Sequence, residues 1–226
     1  MKKLIPVFAI LAYATLACCG TPGSPCVSGG SGSVPTSGGQ QGNILFFDDF
    51  STDSGWSVTY PEDGSFAGYD QGGYRILVMT DYFDIIGRAN QSLPADVIID
   101  VDATKIGGED DSSNFGVVCR MQDLDNLYFF TIAPDGFASI GMYQDGSLTF
   151  LNEPDYMPDY VNPGANGNHI RAECIGSTLA LYANGNLMVQ VTDTTFPSGG
   201  DVGLIAGTYG VTGTNILFDN FYVQQP

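Results

Sequence analysis

The chain has 226 residues, of which 43% are hydrophobic, enough to build a core for one large domain or two small ones. Its 7 Lys and Arg residues are outnumbered by 25 Asp and Glu residues, and the net charge at pH 7 is −18. Phosphate binding needs clusters of Lys and Arg, so the composition excludes a nucleic-acid-binding surface and predicts no nucleic-acid partner. The same shortage of cations argues against a basic face that binds membrane surfaces.

The first residues have the pattern of an export signal. Two lysines follow Met1, and residues 4–17 form an apolar run without charge. A membrane-spanning helix needs about 20 apolar residues, so this shorter run predicts the hydrophobic region of a secretory signal peptide. We therefore expect an exported protein, and removal of Lys2 and Lys3 with the signal takes the net charge from −18 to −20.

Residues 15–20, Thr-Leu-Ala-Cys-Cys-Gly, resemble the lipobox of bacterial lipoproteins, in which Leu and small residues precede the cysteine that is lipidated. Cys18 follows Ala17, whereas Cys19 has Leu16 at the expected distance. The resemblance implies a lipoprotein signal over residues 1–18 and a lipid anchor on Cys18 or Cys19. The chain would then lie in the cell envelope or on the outer surface, touching the membrane only through that anchor. An ordinary signal peptide that is cut nearby is the alternative.

Residues 19–42 have the composition of a linker. Gly, Ser, Pro, Thr and Gln dominate, and Val27 and Val34 are the only aliphatic residues between Gly20 and Gly42. Such a segment cannot bury enough apolar surface to offset the entropy that it would lose on folding. We expect it to be a flexible tether, in which Cys26 has no assigned role.

From residue 43 to the end, apolar and polar residues alternate. Residues 97–103 place Val97, Ile99, Val101 and Ala103 on one face and two Asp residues on the other. The runs 115–122 and 169–174 alternate in the same way. A period of two is typical of half-buried antiparallel strands, so residues 43–226 are predicted to be all-β.

The turns support this prediction. Asn184-Gly185 lies between two apolar runs and is the sequence signal for a tight β-hairpin. Asp135-Gly136 and Asp145-Gly146 separate the runs 127–132, 137–143 and 147–151, which predicts a three-stranded meander. Strands at this spacing indicate one antiparallel sandwich or jelly roll over residues 43–226. Residues 44–50 and 216–221 have similar sequences, and we expect them to be first and last strands that pair or lie adjacent; true repeats are the alternative.

Two cysteines fall on apolar-patterned faces of predicted strands. Cys119 and Cys174 could form a disulfide, which export permits, or remain as two buried thiols. A bridge would stabilise the fold by roughly 3–4 kcal/mol in the chain-entropy model. A zinc site is disfavoured because the chain has no Cys-x-x-Cys motif and only one histidine, His169.

Several segments resemble exported bacterial domains of the concanavalin A-like lectin/glucanase superfamily. They are Asp48-Asp49-Phe50-Ser51, Gly72-Gly73-Tyr74-Arg75-Ile76, the run 115–130, Leu181-Tyr182-Ala183-Asn184-Gly185 and Phe218-Asp219-Asn220-Phe221. The resemblance covers residues 43–226 and extends to 3-keto-disaccharide hydrolase-like and laminin G-like jelly rolls. It implies two stacked, curved antiparallel sheets whose concave face often holds carbohydrate. It implies no particular activity, because this fold carries lectins, enzymes and interaction modules.

Catalytic patterns are weak. A retaining glycosidase needs two carboxylates about 5 Å apart, and the Glu-x-Asp-x-x-Glu pattern of the related glucanases does not occur. Asp100 and Asp102 share a strand face and could form an acid/base pair, but we favour the interpretation that they lie on a solvated outer strand face. His169 has no Gly-x-Ser-x-Gly partner with which to form a nucleophilic triad. We therefore favour a protein without catalysis.

Sugar binding needs exposed aromatic rings flanked by polar groups. The candidates are Trp56, Tyr128 and Tyr143, together with Arg120 and Arg171, which are predicted to point away from the apolar faces of their strands. The two arginines could instead pair with neighbouring carboxylates, and the tyrosines could belong to the core.

Calcium is the one cofactor for which the sequence offers candidate ligands. Glu109, Asp110 and Asp111 lie in one acidic loop, and Asp123 and Asp125 lie in another. Oxygen-rich loops suit a hard cation, although neither follows the EF-hand spacing, and two polar turns are the alternative.

The sequence thus predicts an exported, lipid-anchored carbohydrate-binding or cell-surface recognition module, with a glycan or a cell-surface molecule as its partner. The alternative is a structural or protein–protein interaction domain of the envelope without a small ligand. Glycoside hydrolysis is a third hypothesis, which rests on analogy of fold.

Overall fold

The computed structural model describes residues 43–109 and 111–226, and the predicted signal, lipidation and linker segments lie outside these residues. The described residues form fifteen strands. In chain order these are β1 (Ile44–Asp48), β2 (Phe66–Asp70), β3 (Gly73–Val78), β4 (Asp84–Arg88), β5 (Val97–Gly107), β6 (Phe115–Asp123), β7 (Asn126–Ile132), β8 (Phe137–Gln144), β9 (Ser147–Phe150), β10 (Asp155–Tyr156), β11 (Asn168–Ile175), β12 (Thr178–Ala183), β13 (Asn186–Thr192), β14 (Asp201–Gly207) and β15 (Thr214–Gln224). Within this part of the chain, no helix has the length and apolar character needed to cross a membrane.

The strands build two antiparallel sheets. The eight-stranded sheet has the order β13-β12-β11-β5-β15-β3-β2, and β1 also pairs with β15. The seven-stranded sheet has the order β10-β8-β7-β6-β14-β4, and β9 pairs with β8. The prediction of an all-β jelly-roll sandwich is confirmed.

Local predictions are confirmed as well. The first and last strands pair, with Asp48 opposite Phe221. β12 and β13 are joined by Asn184 and Gly185, both with positive φ, which is the backbone of a type I′ turn. The predicted meander corresponds to β7, β8 and β9.

The main core lies between the sheets. On β5, Ile99, Val101 and Ala103 point into it, and on β6 it receives Phe115 and Val117. Asp100 and Asp102 lie on the opposite face of β5, as the alternation predicts. This core is formed by rows of side chains from both sheets, which is the packing expected of a β-sandwich.

The seven-stranded sheet is apolar on its outer face too. Val118, Leu127, Phe129 and Ile205 form a second buried cluster on the side that faces away from the other sheet. The simple alternation of buried and solvated positions therefore does not hold for β6, β7 and β14, whose burial continues on both faces.

The predicted disulfide is confirmed, and it joins the sheets. Cys119 on β6 bonds to Cys174 on β11 across the core, and the two residues are 55 positions apart in the chain. A cross-link of this span restricts the unfolded chain more than the folded one.

Replacing both cysteines, Cys119→Ala with Cys174→Ala, is expected to lower the free energy of unfolding by roughly 3–4 kcal/mol. Urea unfolding followed by tyrosine and tryptophan fluorescence measures this difference. Reduction of the unmodified protein should produce a similar loss, and a variant as stable as the unmodified protein would contradict the stabilising role of the bridge.

Candidate functional site

The outer face of the seven-stranded sheet contains two adjoining cavities, of about 300 and 190 Å³. They share Asn114, Thr131, Phe150 and Tyr209 as lining residues. We call the combined space the concave groove. Pockets of these volumes on a sheet face are of the size that holds small ligands.

A hydrogen bond shows how strongly this face is curved. The Tyr143 hydroxyl on β8 donates to Asp84 Oδ2 on β4 at 2.6 Å. Three strands separate β8 from β4 in the sheet, so four inter-strand steps of about 4.8 Å place them roughly 19 Å apart along its surface. A Tyr and an Asp side chain cannot bridge that distance on a flat sheet, and they meet because the face is concave.

Glycines make room on this face. A Cβ on Gly141 would overlap the ring of Phe129, its register partner on β7. A Cβ on Gly207 would overlap Asp84 Oδ1 and lie 2.9 Å from Asn114 Oδ1. The Phe129 ring occupies space that a side chain at position 141 would fill, and the Oδ1 atoms of Asp84 and Asn114 occupy space that a side chain at position 207 would fill.

The polar centre of the groove is formed by Asp84 and Asn114. Burial raises the pKa of the Asp84 carboxyl above its ordinary value of 3.8, and the hydrogen bond from Tyr143 only partly offsets this. Burial also raises the pKa of Tyr143, with Asp84 adding to the effect. Asn114 Oδ1 is buried without a hydrogen-bond partner and faces the same space above Gly207 as Asp84 Oδ1.

Aromatic rings form the walls. Phe150 on β9 is 50% exposed and meets Phe129 edge to face, with the ring centroids 5.9 Å apart. On the opposite rim, Tyr82 and Tyr209 are mostly exposed and stack edge to face at 5.3 Å. Exposed rings beside buried polar atoms are the combination that binds pyranose rings and their hydroxyls.

Of the five side chains predicted to bind a ligand, only Tyr143 lines the concave groove. Trp56 is 4% exposed and packs edge to face against Phe50 and Phe221, at 5.1 and 5.0 Å. In this position its ring is part of the core and offers no face on which a sugar could stack.

Tyr128 is likewise fully buried between the sheets. Its hydroxyl donates to Asp193 and accepts a hydrogen bond from the backbone N–H of Phe196 at 3.0 Å. Tyr128 therefore does not lie on a ligand-binding face, contrary to the prediction from the sequence. Its hydroxyl instead anchors the loop that follows β13.

Arg120 has a structural position as well. Its side chain is 2% exposed, and its guanidinium donates to the carbonyls of Ala95, Phe196 and Gly176 at 2.8 to 3.1 Å, and to Asp96 at 3.4 Å. Arg120 has a φ of +49° where the register of β6 shifts against β7, so the strand does not continue its alternation there. The predicted outward clamp is thus an inward-pointing link between three loops.

Arg171 points outward, but on the other sheet. It bonds Glu173 at 3.0 Å and Asp100 at 3.4 Å. His169 completes this network by contacting Asp102 at 2.8 Å and Asp100 at 3.2 Å. Hydrogen bonding to Asp100, with smaller contributions from Asp102, raises the pKa of His169 to about 9. A protonated His169 and Arg171 together contact the carboxylates of Asp100, Asp102 and Glu173, which makes this outer face an ion-pair network.

The predicted calcium loops contain internal partners. Asp111 pairs with Lys105 at 2.7 Å, and Glu109 is exposed. Asp123 accepts hydrogen bonds from Asp125 N and Asn126 Nδ2, which holds the β6–β7 turn. Among residues 43–109 and 111–226, no group of three or more His, Cys, Asp or Glu side chains is placed to hold a metal. Asp110 lies outside the described residues.

Comparison with known proteins identifies the fold. No family model and no curated protein matches the chain. Among solved structures it is similar to the carbohydrate-binding module CBM66 from Bacillus subtilis, with a TM-score of 0.54 and 16% identity over 81% of this chain and 98% of that one. It is similar to a Bacillus licheniformis β-glucanase, with a TM-score of 0.57 and 12% identity over 83% and 100%.

A third similar structure is the GH43 protein BlXynB from Bacillus licheniformis, with a TM-score of 0.57 and 14% identity over 80% of this chain. The chain spans only 39% of the length of that protein. At these identities the similarity establishes the fold and nothing about the ligand. The domain is an antiparallel jelly-roll sandwich.

The raised pKa of Asp84 predicts a pH-dependent effect of Asp84→Asn. The contribution of this carboxyl to stability is fully present below pH 3.8 and is lost as the pH rises through its higher folded pKa. Asn cannot ionise, keeps an acceptor for Tyr143, and can donate to Asn114 Oδ1. Relative to the unmodified protein, the variant should therefore gain stability as the pH rises from 3.8 to neutral, as measured by urea unfolding.

Asp49→Asn is the matched control. Hydrogen bonds from Ser51 lower the pKa of Asp49, so the effect of its replacement should change with pH only around and below 3.8 and should stay constant from there to neutral pH. An Asp84→Asn variant whose relative stability does not change with pH would contradict the buried state of this carboxyl.

Proposed function

We propose that residues 43–226 form a carbohydrate-binding module without catalysis, whose ligand site is the concave groove. We also propose that the module is exported and held at the cell surface by a lipid anchor on Cys18 or Cys19. The anchor rests on residues 1–42 alone, whereas the binding function rests on the geometry of the groove. The two parts of the proposal can therefore fail independently.

The single observation that carries the binding function is the pairing of exposed rings with a buried polar centre. Phe150 and Tyr209 stand at the walls, while Asp84 and Asn114 converge above Gly207 between them. Rings provide apolar faces for stacking, and the polar centre fixes the orientation of hydroxyl groups. A surface that served only to pack against a protein would not need acceptors at the bottom of a cavity.

The similar structures support the same conclusion. One of them is described as a carbohydrate-binding module and another as a β-glucanase, and this domain covers nearly all of both. Two different proteins with this sandwich architecture are therefore described by their names as acting on or binding carbohydrate. This support is an analogy of fold, and the residues of the groove must be tested directly.

Removing one wall tests the proposal. The soluble chain (residues 20–226) should bind at least one polysaccharide in a broad panel, and Phe150→Ala should weaken that binding at least about tenfold, because stacking on an aromatic ring is lost. Tyr60→Ala is the control, since Tyr60 is also an exposed ring but packs against Phe66 on the eight-stranded sheet. Affinity electrophoresis and isothermal titration calorimetry give the dissociation constants.

Two results would contradict the proposal. One is the absence of binding to every polysaccharide by a demonstrably folded chain, which would favour a structural or protein-interaction domain. The other is binding that Phe150→Ala leaves unchanged and Tyr60→Ala abolishes, which would place the ligand on the eight-stranded sheet.

Glycoside hydrolysis is a second candidate function, favoured by one observation. Asp84 is a buried carboxyl with a raised pKa inside a groove, which is the state required of a general acid. Asp135 also lines the larger cavity. Release of reducing ends from a bound polysaccharide, abolished by Asp84→Asn while binding is retained, would replace the binding module by an enzyme.

A further inference from the structure

The positive charges of the described domain are all engaged in ion pairs. Its five Lys and Arg side chains each pair with a carboxylate; they are Arg75 with Asp70, Arg88 with Asp201, Lys105 with Asp111, Arg120 with Asp96, and Arg171 with Asp100 and Glu173. His169 contacts Asp100 and Asp102. Within residues 43–109 and 111–226, no cation is therefore available for an anionic ligand unless an internal pair is broken.

The described side chains that line the concave groove likewise provide no positive charge. Within the described part of the chain, neither of the two cavities is lined by Lys, Arg or His, whereas Asp84 and Asp135 line them. The remaining polar groups are hydroxyls and one amide, contributed by Ser112, Asn114, Thr131, Ser139 and Thr208 together with tyrosines. A carboxylate or sulfate placed here would meet carboxyl groups at short range and no compensating charge, in a chain of net charge −18.

Building on the proposed function, we infer that the concave groove selects uncharged over anionic glycans, holds them by ring stacking and by hydroxyl groups, and rejects uronic-acid and sulfated polymers. The selection comes from negative charge and from the engagement of every described cation, so charge repulsion sets the specificity. Binding of the neutral ligand should depend little on salt, because no ion pair forms between protein and ligand.

The test compares a neutral polysaccharide that the soluble chain binds with a carboxymethylated preparation of the same polysaccharide. The anionic form is expected to bind at least about tenfold more weakly at low salt, and high salt should narrow the difference by screening the repulsion. Alginate and hyaluronan are included as anionic polymers of unrelated structure, and neither of them should bind in the groove.

A charge-insertion variant sharpens the test. Leu148 lines the groove and is 48% exposed, and Leu148→Lys places a cation there. At low salt, this variant should change the ratio of the dissociation constants for the carboxymethylated and the neutral polysaccharide about tenfold in favour of the carboxymethylated form. Leu187→Lys is the matched control, because Leu187 is 46% exposed but lies on β13 of the other sheet. It should leave the preference unchanged.

The outcomes separate this inference from the function on which it rests. Tight binding of an anionic polymer that Phe150→Ala abolishes would overturn the inference and keep the groove as a glycan site. A Leu148→Lys variant with unchanged preference would also overturn it. The absence of binding to glycans of every charge class, with the fold intact by circular dichroism, would overturn both.

Discussion

The curvature of the seven-stranded sheet is the constraint on which the rest of the molecule depends. A flat sheet would keep Asp84 on β4 and Tyr143 on β8 far apart, whereas here they are hydrogen-bonded at 2.6 Å. Val118, Leu127 and Phe129 are buried on the outer face of this sheet, where Ile86 and Tyr143 pack against their cluster. Burial on both faces therefore stabilises the sheet and shapes the groove at the same time.

The disulfide and Arg120 hold this curved sheet against the loops and strands around it. Cys119 fixes β6 to β11 through the core, and one residue later Arg120 reaches three backbone carbonyls from separate loops. Removing a buried guanidinium would leave those carbonyls without donors, at a cost typical of a broken buried polar network. The hydrogen bonds of the Arg120 guanidinium are therefore structural, and this cation is not available for ligand binding.

Much of the fold could be predicted from the sequence, because its signals are local. The alternation of apolar and polar residues in β5 and β11 is visible within each strand alone. The Asn184-Gly185 turn can be predicted from two adjacent residues, and both cysteines of the disulfide fall on apolar strand faces. Tyr128 shows where such reasoning ends. Both faces of β7 are apolar, so the pattern cannot distinguish the core face from the outer one, and the tyrosine was placed on the wrong side.

The candidate site was harder to predict because it is assembled from distant strands. Tyr143 was identified as a candidate because it is an aromatic residue, but Asp84, Asn114 and Phe150 have no distinguishing sequence neighbours. Gly141 and Gly207 carried an available signal, because a glycine inside a strand often marks the close approach of another group. Arg120 was misplaced because a local change of register breaks the alternation from which its direction was inferred.

The most direct test of the central claim is a map of where a glycan touches the domain. Amide chemical shifts of isotope-labelled residues 20–226 should be followed by NMR during titration with the neutral polysaccharides of the binding panel. The amide shifts that change during the titration should cluster at four residues of the groove, Asn114, Thr131, Phe150 and Tyr209. Changes confined to the ion-pair network around His169 and Arg171, on the other sheet, would contradict the assignment of the concave groove as the ligand site.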